Sequence, residues 1–133
     1  MDEPIVYING LFTPLRNAKI SILDRGFCYG DGLFETLRAS NGQIFYIQQH
    51  IDRLFDSLQQ VLIELPMTRL ELTKAVKETL ARNKYKNAII RLMVTRGDTE
   101  SNIQIDSKIH PTLVINIRPF TPLPKVTYKK GIR

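Results

Sequence analysis

Three sets of polar side chains stand where the surrounding sequence is apolar. In Leu33–Arg38, strand alternation puts Phe34, Thr36 and Arg38 on one face and Leu33, Glu35 and Leu37 on the other. An aromatic ring, a hydroxyl and a guanidinium in one row can line a polar pocket. The alternative is a strand near a sheet edge whose Glu and Arg meet solvent. Further on, His50, Arg53 and Ser57 recur at offsets of three and seven, a stripe flanking the apolar face of a helix. A cation with an imidazole and a hydroxyl suits an anion such as phosphate, or forms a solvated flank. Arg91 is the one charge in Ala88–Val94, a run that otherwise reads as core. Its guanidinium needs an anionic partner, either in a structural ion pair or as a clamp on an anionic substrate.

Other chemistries lack their residues. Gly30-Asp31-Gly32 has neither the third glycine of a dinucleotide fingerprint nor the Gly-Lys-Ser/Thr of a P-loop. His50, His110 and Cys28 do not fall into metal-ligand spacing, and two histidines offer no convincing Ser-His-Asp order. The lone Cys28 excludes an internal disulfide framework. What remains is an anion-binding face without a nucleophile or a metal.

These side chains need elements to hold them. Asn9-Gly10, between Ile5–Ile8 and Leu11-Phe12, signals a tight hairpin. A short strand is expected over Ala18–Ile22, and a second hairpin over Leu33–Ala39 and Gln43–Ile47 with its turn at Ser40-Asn41-Gly42. The apolar positions Ile47, Ile51, Leu54, Phe55, Leu58, Val61 and Leu62 share one helical face. Thr68 and Glu71 form a capping box, with Met67 and Leu72 as its hydrophobic staple, opening a helix to about Asn83. That helix is expected to bury Leu72, Ala75, Val76, Thr79 and Leu80. Ala88–Thr95 and Thr112–Arg118 read as buried strands around a polar loop from Gly97 to Pro111. Three prolines within 119–124 mark a linker, and Val126–Tyr128 reads as the start of another strand. The expected fold is α+β, a mostly antiparallel sheet with two α-helices.

At 133 residues, 43% hydrophobic and 24% charged, the chain has the size and composition of one globular domain. Its net charge of +6 resides mostly in the tail, because residues 1–117 hold 14 basic and 13 acidic side chains. A nucleic-acid partner is therefore not expected. No apolar run is long enough to span a membrane, so a cytoplasmic protein is the default.

Tyr7–Gly10, Asp24–Phe27, Tyr29–Arg38, Asn41-Gly42, His50–Leu54 and Arg91–Gly97 together resemble one family: the class IV, or fold-type IV, pyridoxal-phosphate enzymes. These are the branched-chain and D-amino acid aminotransferases and the aminodeoxychorismate lyases. The resemblance is co-linear from about Val6 to Arg118. It implies a small N-terminal α/β domain over 1–118, and over 119–133 an interdomain linker leading to a C-terminal cofactor-binding domain. It also implies pyridoxal 5'-phosphate as cofactor, Arg53 as a ligand of its phosphate, and Phe34, Arg38 and Arg91 at the substrate pocket. Asp24, Arg25 and Gly26 match a segment of structural and dimer contacts. The family's Schiff-base lysine lies beyond the linker in a Lys-x-x-Asn context, and none of the nine lysines follows the linker in that way. The resemblance thus implies the N-terminal part of a homodimeric aminotransferase acting on an amino acid and a 2-oxo acid, inactive alone. A lyase of 4-aminobenzoate synthesis and a stand-alone anion-binding module are the alternatives. Thr36 stands where branched-chain enzymes carry glycine, and Asp98–Asn102 lacks the Arg-x-His carboxylate trap of the D-amino acid enzymes.

Overall fold

A computed structural model describes residues 3–99 and 109–132. The first hairpin joins β1 (Ile5–Ile8) to β2 (Leu11–Pro14), with Ile8 opposite Leu11 across the two-residue turn. Asn9 and Gly10 both take positive φ, 48° and 96°, as a primed turn requires. A single helical turn, α1 (Arg25–Tyr29), precedes the long strand β3 (Gly32–Ser40), which turns at Asn41-Gly42 into the short β4 (Gln43–Ile44). Helices α2 (Ile47–Gln60) and α3 (Arg69–Asn83) follow, then β5 (Asn87–Thr95) and β6 (Thr112–Pro119), and a terminal helix α4 (Lys125–Lys130). The strands form one antiparallel sheet in the order β2-β1-β6-β5-β3-β4.

Both long helices lie on the same face of this sheet. Ile51, Leu54 and Leu58 of α2, with Leu72, Val76 and Leu80 of α3, pack against Leu37, Ile90, Leu92 and Ile115. The capping box forms as expected: Thr68 Oγ1 accepts from the Glu71 amide at 3.2 Å, and Glu71 accepts from the Thr68 amide at 2.7 Å. The expected burial along α3 is also found at Leu72, Ala75, Val76, Thr79 and Leu80.

Five expectations are corrected. α2 ends at Gln60, so Val61 and Leu62 of the expected apolar stripe lie beyond the helix and are exposed, Leu62 with a left-handed φ of 56°. Ala18–Ile22 is not a strand: the chain leaves β2 through a 3-10 turn at Leu15–Asn17, and Ile20 and Ile22 stay exposed without a partner strand. β4 ends at Ile44, because Tyr46 turns left-handed (φ 51°) to start α2. Val126–Tyr128 lies in α4, a helix with no buried residue, rather than in a strand. Arg91 is not in the core. Ala88, Ile90, Leu92 and Val94 face the helices, while Arg91 faces the other way and is exposed. An apolar run with one covered face looks fully buried in sequence because the residues of its open face are also large.

Candidate functional site

The strand β3 supplies side chains to both faces of the sheet. On the face without helices, Phe34, Thr36 and Arg38 stand in a row, and Thr36 is directly opposite Arg91 of β5. The Arg91 guanidinium lies over the Phe34 ring at 4.8 Å, a cation–π contact on an exposed side chain. Phe34 itself is 63% exposed. Arg38 sits partly buried, its guanidinium 3.2 Å from the centre of the Phe120 ring. Its Nη1 is buried and without a hydrogen-bond partner among the described residues. A buried donor of that kind calls for an acceptor that the described residues do not provide. Phe34 and Arg91 are thus brought together on the open face, and Arg38 stands on the same face beneath the Phe120 ring.

Arg53 is on the opposite, helix-covered side. Alternation along β3 turns Glu35 toward α2, where the carboxylate accepts from Arg53 Nε at 2.6 Å and Nη2 at 2.5 Å. His50, one turn earlier, places Nδ1 2.7 Å from the same carboxylate. Glu35 is 5% exposed, and the hydrogen bond from Arg53 is the main cause holding its pKa below the ordinary carboxylate range. The partnership raises Arg53 in return. The Arg53 side chain remains 66% exposed, and its Nη1 has no partner among the described residues. β4 covers the outer edge of β3 only at Ala39 and Ser40. Arg53 and the open-face row thus lie on opposite sides of β3, whose outer edge has no paired strand among the described residues from Gly32 to Arg38.

A second buried cluster braces this edge. Asp24 caps α1 by accepting from the Gly26 amide at 2.8 Å and receives the Thr95 hydroxyl at 2.8 Å. A Cβ on Gly26 would run into the Thr95 side chain, so the close approach of α1 to β5 needs glycine. Asp31 accepts from Arg25 Nε and Arg96 Nε, each at 2.8 Å. Arg96 also donates to the Val61 and Leu62 carbonyls, both at 2.9 Å, closing the end of α2.

Sequence reasoning left two roles unassigned, the carboxylates of Glu35 and Asp31. The signal for the first was a glutamate between Leu33 and Leu37 on the apolar side of its strand. For Asp31 and Arg96, 65 positions apart, no local pattern marks the pair. The chain's single Lys-x-x-Asn spacing, Lys84 to Asn87, belongs to the turn between α3 and β5. Among the described residues no group of His, Cys, Asp and Glu is arranged to hold a metal ion, and no helix is long and apolar enough to cross a membrane.

A mostly antiparallel six-stranded sheet with its two long helices on one face matches the N-terminal domain of the fold-type IV enzymes. The chain belongs to the amino-transferase class IV family, whose description matches residues 32–133. A protein of Methanocaldococcus jannaschii named a branched-chain-amino-acid aminotransferase is 41% identical over 89% of this chain and 41% of its own length. D-alanine aminotransferase of Staphylococcus haemolyticus is 37% identical over 73% of this chain and 34% of its own. Among solved structures, the branched-chain amino acid aminotransferase of the archaeon Thermoproteus uzoniensis, determined with norvaline, is 28% identical, with a TM-score of 0.79. The match covers 90% of this chain and 42% of that one. The chain thus spans between about one third and two fifths of the length of these relatives.

Proposed function

We propose that this chain is the N-terminal part of a pyridoxal-phosphate-dependent aminotransferase that moves an amino group between an amino acid and a 2-oxo acid. A branched-chain-like amino acid is the favoured substrate, on the strength of the relative with the highest identity quoted above. The observation that carries the reading is Arg53. It is fixed at its inner edge by Glu35 and open at Nη1, which fits a phosphate monoester. Bound there, pyridoxal phosphate would supply the electron-withdrawing ring on which the amino group is carried. Arg53 would hold its phosphate. Arg38 and Arg91 would take the substrate carboxylate, and Phe34 would pack against the apolar side chain.

The chain on its own is read as inactive, since the family's Schiff-base lysine and the partner domain lie beyond the linker. Residues 1–118 form the small domain in this reading, and 119–133 the linker. A homodimeric parent is proposed from the exposed Ile22, Phe27 and Tyr29 around α1, an apolar surface that a second subunit could cover. A cytoplasmic setting accords with the free, exposed thiol of Cys28.

The test is an immunoblot of the source cell with an antibody to this domain, followed by assay of the polypeptide found. A band well above 15 kDa that transaminates branched-chain amino acids is the expected result. A 15 kDa band that binds phosphate esters without turnover would replace this reading with a stand-alone binding module.

A further inference from the structure

Resting on the reading of Arg53 as an anion ligand, we propose that Glu35 is the positioning residue that aims it, and that His50 locks Glu35 in turn. An arginine on a helix surface has many rotamers, and ordering it on binding costs affinity. Here the ordering is done in advance. The Glu35 carboxylate is buried between Leu33 and Leu37, and its register partner on β5 is the fully buried Leu92. Without donors that carboxylate would be costly to bury. Arg53 Nε and Nη2 take one oxygen each, at 2.6 and 2.5 Å, and His50 Nδ1 takes Oε2 at 2.7 Å. With both oxygens committed, the carboxylate has one orientation. Because a guanidinium is planar, fixing Nε and Nη2 also fixes the direction of Nη1. The outward nitrogen is presented along one line.

Glu35 has two opposed effects on an incoming anion, which makes the proposal testable. Its charge repels the anion, and its geometry aims the cation. The aim dominates, so removing the charge with Glu35→Gln weakens binding instead of tightening it.

The probe is pyridoxine 5'-phosphate, which has no aldehyde to react with lysines, titrated into the purified chain by its fluorescence. Glu35→Gln is expected to weaken affinity roughly tenfold. Arg53→Lys, which keeps the charge and loses the fork, should fall by a similar factor. In parallel, the Arg53 Nε–H group of the wild-type chain should be rigid by heteronuclear NOE and that of Arg118 mobile. The Arg53 signal should become mobile in Glu35→Gln.

If Arg53→Ala leaves affinity unchanged, Arg53 is not the ligand and the functional reading fails; if the wild-type chain alone does not bind the probe, the positioning role is decided by the Arg53 Nε–H dynamics. If Arg53→Ala weakens binding but Glu35→Gln matches or exceeds the wild type, the positioning role fails while that reading stands. Should Glu35→Gln not fold, His50→Ala serves instead, with a loss of about threefold expected. An Arg53 Nε–H as mobile as that of Arg118 in the wild type overturns the proposal with no variant at all.

Discussion

Arginines carry most of the polar architecture, and they divide by what holds them. Arg25 and Arg96 converge on Asp31, and Arg53 on Glu35, whereas Arg38 and Arg91 lie against the rings of Phe120 and Phe34. The first group is fixed by carboxylates; the second rests on aromatic rings, Arg91 exposed and Arg38 partly buried. Asp31 is the clearest test of the bracing role. Two guanidiniums crowd it, and the hydrogen bond from Arg96 is the largest cause holding its pKa below the ordinary aspartate value. A depressed carboxylate stabilises the fold at pH above its unfolded value, about 3.9, and that contribution fades as pH falls through the lower folded value. Asp31→Asn should therefore cost about 3 kcal/mol at pH 7 in urea denaturation and progressively less toward pH 2. A variant with wild-type stability at pH 7 would mean that the cluster is incidental. At this scale the sequence announces residue types but not partners. The stripe of His50 and Arg53 points to an anion, yet their shared carboxylate lies 15 and 18 residues away, joined only when α2 docks on β3.

The elements legible in the sequence are those with their own local chemistry. Asn9-Gly10 needs nothing distant to make a hairpin, and α2 needs only its apolar stripe to choose a face. α3 declares its start through the reciprocal contacts of Thr68 and Glu71. Replacing Thr68 by Ala should lower stability by about 1 kcal/mol, seen as a reduced urea midpoint with an unchanged slope. No change would mean that docking alone sets the start of α3. Segments without such chemistry mislead. Ala18–Ile22 has β-like composition but pairs with no described strand, and Val126–Tyr128, outside the sheet, coils into α4. Strand propensity reports fitness for a pleated surface, and where no surface is offered it decides nothing.

At the scale of the molecule, β6 inserts between β1 and β5, which no sequence pattern signals, since its partners lie more than 100 residues away on one side and about 20 on the other. The two long helices cover one face of the sheet, leaving Phe34 and Arg91 exposed on the other. The tail crosses to that open face: Phe120 hydrogen-bonds through its amide to the Asn87 carbonyl at 3.0 Å and covers Arg38. Beyond it α4 buries nothing. The fold should therefore end at Phe120 and not at the last helix. A chain stopped after Pro124 should melt within about 2 °C of the full one, because no buried contact is lost. Stopping after Pro119 instead removes the ring from Arg38, a partly desolvated cation–π contact of about 1 kcal/mol, and should lower Tm by several degrees. Equal melting of all three chains would show that Phe120 merely rests on the sheet. Collapse of the chain ending at Pro124 would place the domain boundary beyond the prolines. The expected order ties the linker to the open face through a single aromatic ring, so that the segment leading out of the domain begins by touching the arginine proposed to meet the substrate.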